Sequence, residues 1–186
     1  MSVNFFDSQY RTEPVRNDKR IGVCDPQNGT RAYTTTAEDK GKWMAEISNP
    51  KEMGVQFVAV DNNICMPEVN GKQQKRCDGM ILYPLSSDSG NDAVSENICF
   101  VELKDVMGSG WIKEATEQLR ATITTFCENH DYRKFKTRKA YAANCRHPNF
   151  NHSQMKRMTD FMEETHFQLI IRRTIIIGDD NSSNMP

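Results

Sequence analysis

The segment Ile98-Cys-Phe-Val-Glu-Leu-Lys104 is apolar for four residues and then carries two charges, Glu102 and Lys104, on either side of Leu103. Its β-branched and aromatic residues favour a strand, and apolar character on both faces is typical of a strand inside a sheet. Side chains two positions apart on a strand project from the same face. Glu102 and Lys104 are therefore predicted to be neighbours at the end of a buried strand, where charged groups are costly.

A second apolar strand is predicted at Gly79-Met-Ile-Leu-Tyr83, and Asp78 directly precedes it. A polar loop over residues 86–97 separates the two strands. If they pair antiparallel across this loop, Asp78 lies at the same end of the sheet as Glu102 and Lys104. Two simpler interpretations remain open. Asp78-Gly79 is a common turn pair, and an exposed Glu102–Lys104 ion pair would contribute only about 0–1 kcal/mol without serving any function.

Two carboxylates beside a lysine have a definite chemistry. Carboxylates that lie close together repel each other unless a cation lies between them, and Mg²⁺ (or Mn²⁺) prefers carboxylate and carbonyl oxygens. Such a metal polarises a phosphoryl oxygen and makes its bound water more acidic. A neighbouring lysine can orient or help to deprotonate the attacking water. Asp78 and Glu102 are therefore candidate metal ligands, and Lys104 is a candidate catalytic residue for phosphodiester hydrolysis.

An amphipathic helix is predicted from Trp111 to about Glu128, because apolar residues recur there every three or four positions. Together with Asp78 and Glu102-Leu-Lys104, this helix resembles the PD-(D/E)xK superfamily of restriction-endonuclease-like nucleases, although Cys77 stands where that motif has proline. In several of these nucleases a glutamine on the following helix contacts the metal shell or the substrate. The resemblance covers about residues 75–125 and implies that Gln118 supports the site. The same segment also resembles a group of small, poorly characterised bacterial proteins.

The resemblance implies an α/β fold with a restriction-endonuclease-like core, a central mixed β-sheet flanked by helices. It implies a Mg²⁺-dependent nuclease acting on nucleic acid, with DNA favoured. A homodimer is compatible with it, because double-strand cutting by this fold needs two sites. An early acidic residue often completes such a site, and Glu46 and Asp61 are both candidates here. Lys75 and Arg76 are candidates for phosphate contact, although loop charges are more often simply solvated.

The same resemblance leaves a second function open. A nuclease-fold protein can be catalytically inert and bind a protein or nucleic-acid partner, for example in a bacterial defence or mobile-element system. The formal net charge of −1 favours this alternative, because a dedicated DNA-binding protein is usually more basic.

Further elements complete the predicted core over residues 55–177. They are a strand at Val55–Val60, a strand at Lys139–Cys145, a helix at Asn151–His166 with Asn151 as its N-cap, and a long last strand at Phe167–Ile177. The pair Arg172-Arg173 is unusual inside a strand, because one of the two side chains must face inward unless the strand bulges. Residues 178–186 are polar, and we expect them to be a disordered tail.

Residues 1–54 are predicted to be an irregular region of the same single domain. It contains a short hairpin, Ile21–Cys24 with Arg31–Thr35, around the turn pair Asn28-Gly29. A short helix is predicted over Thr36–Ile47 with Thr36 as its N-cap, although Gly41 inside it is unfavourable.

The composition of the 186 residues, 37% apolar and 26% charged, is that of a globular domain rather than a disordered chain. No apolar run approaches the roughly 20 residues of a membrane span, and the N-terminus does not resemble a secretory signal. We therefore expect a cytoplasmic protein without a membrane partner. The six cysteines are expected to be free thiols in that compartment.

A zinc site is the competing metal hypothesis. Cys127 with His130, and Cys145 with His147, have ligand-like local spacings. The predicted strand at Lys139–Cys145 separates the two pairs and would be more than about 20 Å long, so the pairs should lie at opposite ends of the sheet. No zinc is therefore expected.

Overall fold

Nine β-strands and two α-helices occupy the part of the chain that the structure, a computed structural model, describes: residues 2–37, 42–66, 73–84, 96–146 and 154–178. In chain order they are β1 (Arg20–Cys24), β2 (Tyr33–Thr35), β3 (Ala45–Ser48), β4 (Gln56–Ala59), β5 (Gly79–Tyr83), β6 (Asn97–Lys104), α1 (Trp111–Asn129), β7 (Thr137–Asn144), α2 (Met155–Thr165), β8 (Gln168–Ile171) and β9 (Thr174–Ile176). The fold is therefore mixed α/β.

The larger sheet has five strands in the order β4-β5-β6-β7-β8. The first three are antiparallel, with Gly79 opposite Val101, and this confirms the predicted pairing of β5 with β6. The strands β6, β7 and β8 run parallel, so the chain must cross over twice, through α1 and then through α2. The sheet is mixed, as predicted, and the predicted crossover through α1 is confirmed.

Both helices cover the same face of the five-stranded sheet. Along α1, Ala115, Leu119, Ile123 and Phe126 are fully buried and form one hydrophobic core with the sheet residues on this face, among them Phe100. The predicted sheet with flanking helices is thus correct for one face only. The other face packs against a second sheet.

The second sheet has four strands in the order β2-β1-β3-β9. The predicted hairpin is confirmed, because β1 and β2 are antiparallel with Cys24 opposite Tyr33. The predicted helix over Thr36–Ile47 is wrong, since Ala45–Ser48 forms β3; residues 38–41 lie outside the described residues. Ala45 and Ile47 alternate into the core between the sheets, and this burial outweighs the weak local preference for a helix.

The predicted single strand over Phe167–Ile177 is two strands in two different sheets. β8 pairs with β7 in the larger sheet, whereas β9 pairs with β3 in the smaller one. The chain changes sheets across Arg172-Arg173, where Arg172 is exposed and Arg173 is partly buried. The change of sheet leaves Arg172 in solvent, where its charge costs little, and places Arg173 half-buried beside Trp43.

The N-terminal region is tied to the rest of the molecule rather than irregular. Phe5 is fully buried against Phe126 of α1, and its N–H donates a hydrogen bond to His130 Nε2 at 3.1 Å. Further along the chain, β3 pairs with β9 in parallel. The N-terminal region therefore contributes to both cores, Phe5 to the helix-covered one and β3 to the one between the sheets.

Several smaller expectations can be compared with the structure. All six cysteines are free thiols. The helix predicted from Asn151 begins at Met155 among the described residues, and the predicted Asn151 cap lies outside them, as do residues 179–186 of the predicted tail. Neither α1 nor α2 is long and apolar enough to cross a lipid bilayer.

The close approach of β5 to a neighbouring ring gives a stability prediction. A Cβ atom on Gly79 would lie 2.4 Å from the buried ring of Phe57, so Gly79→Ala forces that ring to shift. We expect the free energy of unfolding to fall by about 1–3 kcal/mol, as for other overpacked cores. Urea unfolding followed by circular dichroism measures this change.

Gly108→Ala is the matched control, because its Cβ would meet nothing within 4 Å. We expect it to change the free energy of unfolding by less than about 0.5 kcal/mol. Equal effects of the two substitutions would contradict the packing of β5 described above.

Candidate active site

Asp78, Glu102 and Lys104 lie together where β5 begins and β6 ends, near the start of α1. Because β5 and β6 are antiparallel, the residue before β5 comes beside the last residues of β6. Side-chain alternation sets the face, since Met80 and Phe100 pack in the helical core. Glu102, two residues after Phe100, therefore projects toward α1. Asp78 precedes β5, and its carboxylate reaches the Leu103 N–H of β6.

The Asp78 carboxylate is held by the neighbouring strand. Its Oδ2 accepts a hydrogen bond from the Leu103 N–H at 2.6 Å, and the residue is 9% exposed. A charge-assisted bond of this kind fixes the carboxylate against the strand that carries Glu102.

Glu102 is the most deeply buried charged residue of the site, at 1% exposure. Its Oε1 lies 2.9 Å from Lys104 Nζ. Its Oε2 is buried and has no hydrogen-bond partner among the described residues. Buried polar atoms are nearly always hydrogen-bonded, so an unpartnered carboxylate oxygen calls for a ligand or an ordered water.

Lys104 makes three close contacts through its ammonium group. Besides Glu102, its Nζ lies 3.0 Å from Glu114 Oε1 and donates to Gln118 Oε1 at 2.6 Å. An ammonium has three N–H donors, so the described partners use its full capacity. Glu114 is the most exposed of the three, with 63% of its side chain accessible to solvent.

Gln118 connects α1 with the segment that leads into β5. Its amide Nε2 donates to the Arg76 carbonyl at 3.1 Å, while its oxygen accepts from Lys104. The sequence-predicted site residues Asp78, Glu102, Lys104 and Gln118 thus come together in the folded protein. Gln118 touches the lysine rather than either carboxylate.

The predicted phosphate-contact residues are occupied by other partners in this structure. Lys75 Nζ lies 2.6 Å from Glu117 Oε2 on α1. Arg76 lies 3.5 Å from the Asp61 carboxylate and donates to the Ile64 carbonyl at 3.2 Å. Both stand just before Asp78 in the chain, and their role toward phosphate stays a prediction.

The two candidates for the early acidic residue have different surroundings. The Asp61 N–H donates to the Cys77 carbonyl at 3.2 Å, so Asp61 stands beside Asp78. Glu46 lies on β3 in the four-stranded sheet, where it forms a two-pronged ion pair with Arg20 at 2.6 and 2.8 Å. Of the two, only Asp61 adjoins the candidate site.

Two acidic residues near the site were missed by sequence reasoning. Glu114 lies one helical turn before Gln118, a spacing that places both on one face of α1 and could have indicated it. Asp25 directly follows β1, and its charge contributes to raising the pKa of Asp78. Nothing local in the sequence links Asp25 to β5, because that proximity depends on how the sheets pack.

Burial dominates the electrostatics of the two carboxylates. Burial raises the pKa of Asp78 to about 7, against the lowering effect of its hydrogen bond from Leu103; the charges of Asp25 and Asp61 raise it further. Burial and the charge of Asp78 together raise the pKa of Glu102 well above its ordinary value. Burial lowers the pKa of Lys104, but Glu102 and Glu114 outweigh it and the net shift is upward.

The donor set suits a hard divalent cation. Asp78 and Glu102 offer carboxylate oxygens, and a cation beside them would both supply a partner for Glu102 Oε2 and offset their mutual repulsion. Within the described residues, no three acidic, histidine or cysteine side chains form a metal-binding group. A cation held here would therefore rely on two carboxylates and water, an arrangement that Mg²⁺ tolerates.

The zinc hypothesis can be examined through Cys127 and Cys145. Cys127 lies in the last turn of α1, near His166, whereas Cys145 follows β7 and contacts Asp105. The eight residues of β7 separate their surroundings. His130 uses its Nε2 to accept from Phe5, and His147 lies outside the described residues.

Comparison with protein-family models, with curated proteins and with solved structures gives no match.

The raised pKa of Asp78 gives a pH-dependent stability prediction. Its pKa in the folded state, about 7, exceeds the ordinary value of 3.8, so the folded protein binds this proton more tightly than the unfolded chain. The resulting stabilisation is complete below about pH 3.8 and is lost as the pH rises through about 7. Asp78→Asn cannot titrate, and its oxygen can still accept from Leu103. Relative to wild type, we expect this variant to gain stability as the pH rises from about 3.8 to about 7 in urea unfolding.

Asp131→Asn is the matched control. Asp131 is exposed, and a hydrogen bond from Arg133 lowers the pKa of its carboxyl group, so its removal brings no gain in stability at high pH. A stability difference between Asp78→Asn and wild type that does not change with pH would contradict the electrostatics of the site.

Proposed function

We propose that this protein is a metal-dependent phosphodiesterase that hydrolyses nucleic acid, with DNA the favoured substrate, on a restriction-endonuclease-like core. One observation carries the proposal: the Glu102 carboxylate is buried beside Asp78 and Lys104 and leaves one oxygen unpartnered.

A purely structural ion pair does not account for this arrangement. Lys104 can neutralise one carboxylate, yet Asp78 and Glu102 are both buried, and each burial is unfavourable. Replacing buried ion pairs by apolar residues is often neutral or stabilising, so selection for stability alone would not maintain two acids here. Surplus buried carboxylates are typical of sites that hold a cation or perform acid–base chemistry.

The residues have distinct roles in this proposal. Asp78 and Glu102 would hold Mg²⁺ or Mn²⁺. When bound, the cation would supply Lewis-acid stabilisation of the phosphate and a more acidic water. Lys104 would donate a hydrogen bond to the attacking water or to a phosphate oxygen, and Gln118 would hold the Lys104 side chain against α1.

Lys104 must give up one partner before it can contact water or phosphate, because all three of its donors are in use. Glu114 is the partner to be exchanged, since its side chain is the most exposed and an incoming phosphate would repel it. Glu102 and Gln118 would remain and keep the ammonium in place.

The strand order agrees with the resemblance to PD-(D/E)xK nucleases. Asp78 precedes one strand, Glu102 and Lys104 end its antiparallel neighbour, and α1 then crosses over to a parallel strand. The second sheet lies outside this shared arrangement.

Replacement of Lys104 tests the proposed chemistry. We expect Lys104→Ala to cleave DNA or RNA at least about 100-fold more slowly than wild type in Mg²⁺ or Mn²⁺, because the donor that positions the water is gone. Release of fragments from labelled DNA and RNA measures the rate, and circular dichroism shows whether the variant is folded. Lys113→Ala, at an exposed position of α1, is the matched control. Equal cleavage by the two variants would contradict the role of Lys104.

The alternative function is a catalytically inert protein of the same fold that binds a protein or nucleic-acid partner. The full occupation of Lys104 by Glu102, Glu114 and Gln118 favours this alternative, because no donor remains for substrate.

Metal binding separates the two functions. In titration calorimetry at a pH above 7, we expect wild type to bind Mn²⁺ and Asp78→Asn to lose at least about tenfold in affinity, since one of two anionic ligands is removed. Absence of Mn²⁺ binding by wild type at millimolar concentrations would favour the inert protein.

A further inference from the structure

A second polar site lies on the outer face of the four-stranded sheet. Ile21, Ile47 and Ile175 of this sheet face the core between the two sheets. The residues next to them in sequence, which include Arg20, Glu46 and Thr174, therefore project from the opposite face. Both sheets separate this outer face from the helix-covered side that carries Glu102.

Trp43 packs closely over this face. A Cβ atom on Gly22 would lie 2.2 Å from the indole ring, so the glycine permits the ring to lie directly against the strand. The guanidinium of Arg20 lies 5.8 Å from the centre of the ring. Trp43 is only 5% exposed, and its Nε1 is buried without a hydrogen-bond partner among the described residues.

Arg173, at the point where the chain changes sheets, contributes a second unused donor. Its terminal NH2 group donates to the Trp43 carbonyl at 2.7 Å, and its Nε is buried without a partner in the described part of the chain. Arg20 pairs with Glu46, whereas Arg173 forms no ion pair with any described residue. Arg173 therefore lacks a direct carboxylate partner among the described residues.

Trp43 and Arg173, the residues that carry the two unused donors, both line one pocket. It has a volume of about 290 Å³ and is lined by Arg20, Trp43, Glu46, Arg173 and Thr174. This volume lies just below the range typical of drug-sized ligands, about 300–1,000 Å³, so the pocket suits a small group. Its charged residues are two arginines and one glutamate, and Glu46 pairs with Arg20, so Arg173 leaves the pocket with one excess positive charge.

We propose that this pocket binds an oxyanion, a phosphate or carboxylate group, through Arg173 Nε and Trp43 Nε1. Buried N–H groups are nearly always hydrogen-bonded, and leaving one unsatisfied is unfavourable. A water molecule could satisfy the two donors but would not offset the charge of Arg173. An oxyanion does both, and its hydrogen bonds are charge-assisted.

Heteronuclear NMR of the indole N–H groups tests this site directly. The Trp43 signal is assigned by its loss in Trp43→Phe, and inorganic phosphate or acetate is added at constant ionic strength. We expect a saturable downfield shift of the Trp43 signal, with Trp111 as the internal reference. A shift with both anions indicates a general oxyanion site, and a shift with one alone identifies the source as phosphate or carboxylate. No saturable shift with either anion would overturn the proposal.

Two neighbouring arginines provide matched variants. We expect Arg173→Gln to weaken anion binding about tenfold or more, and Arg172→Gln, the same charge change at an exposed position, to weaken it less than about twofold. Equal weakening by both would show that only net charge matters and would overturn the proposal. Trp43→Phe keeps the ring and removes the N–H donor, so calorimetry on this variant tests the site even if Arg173→Gln fails to fold. Unchanged phosphate affinity in Trp43→Phe would also overturn it.

Discussion

The hydrogen bond from the Leu103 N–H to the Asp78 carboxylate, at 2.6 Å, joins the two strands on which the candidate active site depends. It lies one step beyond the regular pairing of β5 with β6, where Gly79 faces Val101. The side chain of Asp78 thus extends the contact between the strands past the start of β5. This contact brings Asp78 beside a second acid, Glu102, whose pKa the charge of Asp78 helps to raise.

Lys104 limits the electrostatic cost of that arrangement. Burial favours protonation of both Asp78 and Glu102, whereas the Lys104 ammonium favours their charged forms. Gln118 holds the ammonium in place and donates its own amide to the segment before Asp78. The site therefore holds two carboxylates and one ammonium group with little access to water. A divalent cation bound there would favour the charged forms of both acids.

The local sequence pattern was sufficient to predict that Asp78, Glu102 and Lys104 lie together. It was not sufficient to predict which other residues lie near them. The alternation along β6 and the apolar run of β5 placed Asp78, Glu102 and Lys104 together, because both signals extend over several residues of strongly biased composition. The spacing of apolar residues predicted α1 itself, whereas the role of Gln118 came only from the resemblance to PD-(D/E)xK nucleases. Glu114, one helical turn before Gln118, was overlooked.

The errors share a physical cause. β3 was predicted as a helix because its strand character comes from its neighbours β1 and β9, which are remote in sequence. The segment from Phe167 to Ile177 was predicted as one strand because β-branched residues continue through it, whereas the change of sheet at Arg172-Arg173 depends on tertiary packing. Asp25 approaches Asp78 only in the packed protein, so no local pattern could reveal it.

The most direct test of the central claim is a crystal structure of the protein soaked in Mn²⁺ at a pH above 7, with anomalous scattering recorded at the manganese edge. The account predicts one anomalous peak between the carboxylates of Asp78 and Glu102, with Glu102 Oε2 among the ligands. An anomalous map without a peak at this pair, in crystals where both side chains are clearly ordered, would contradict it.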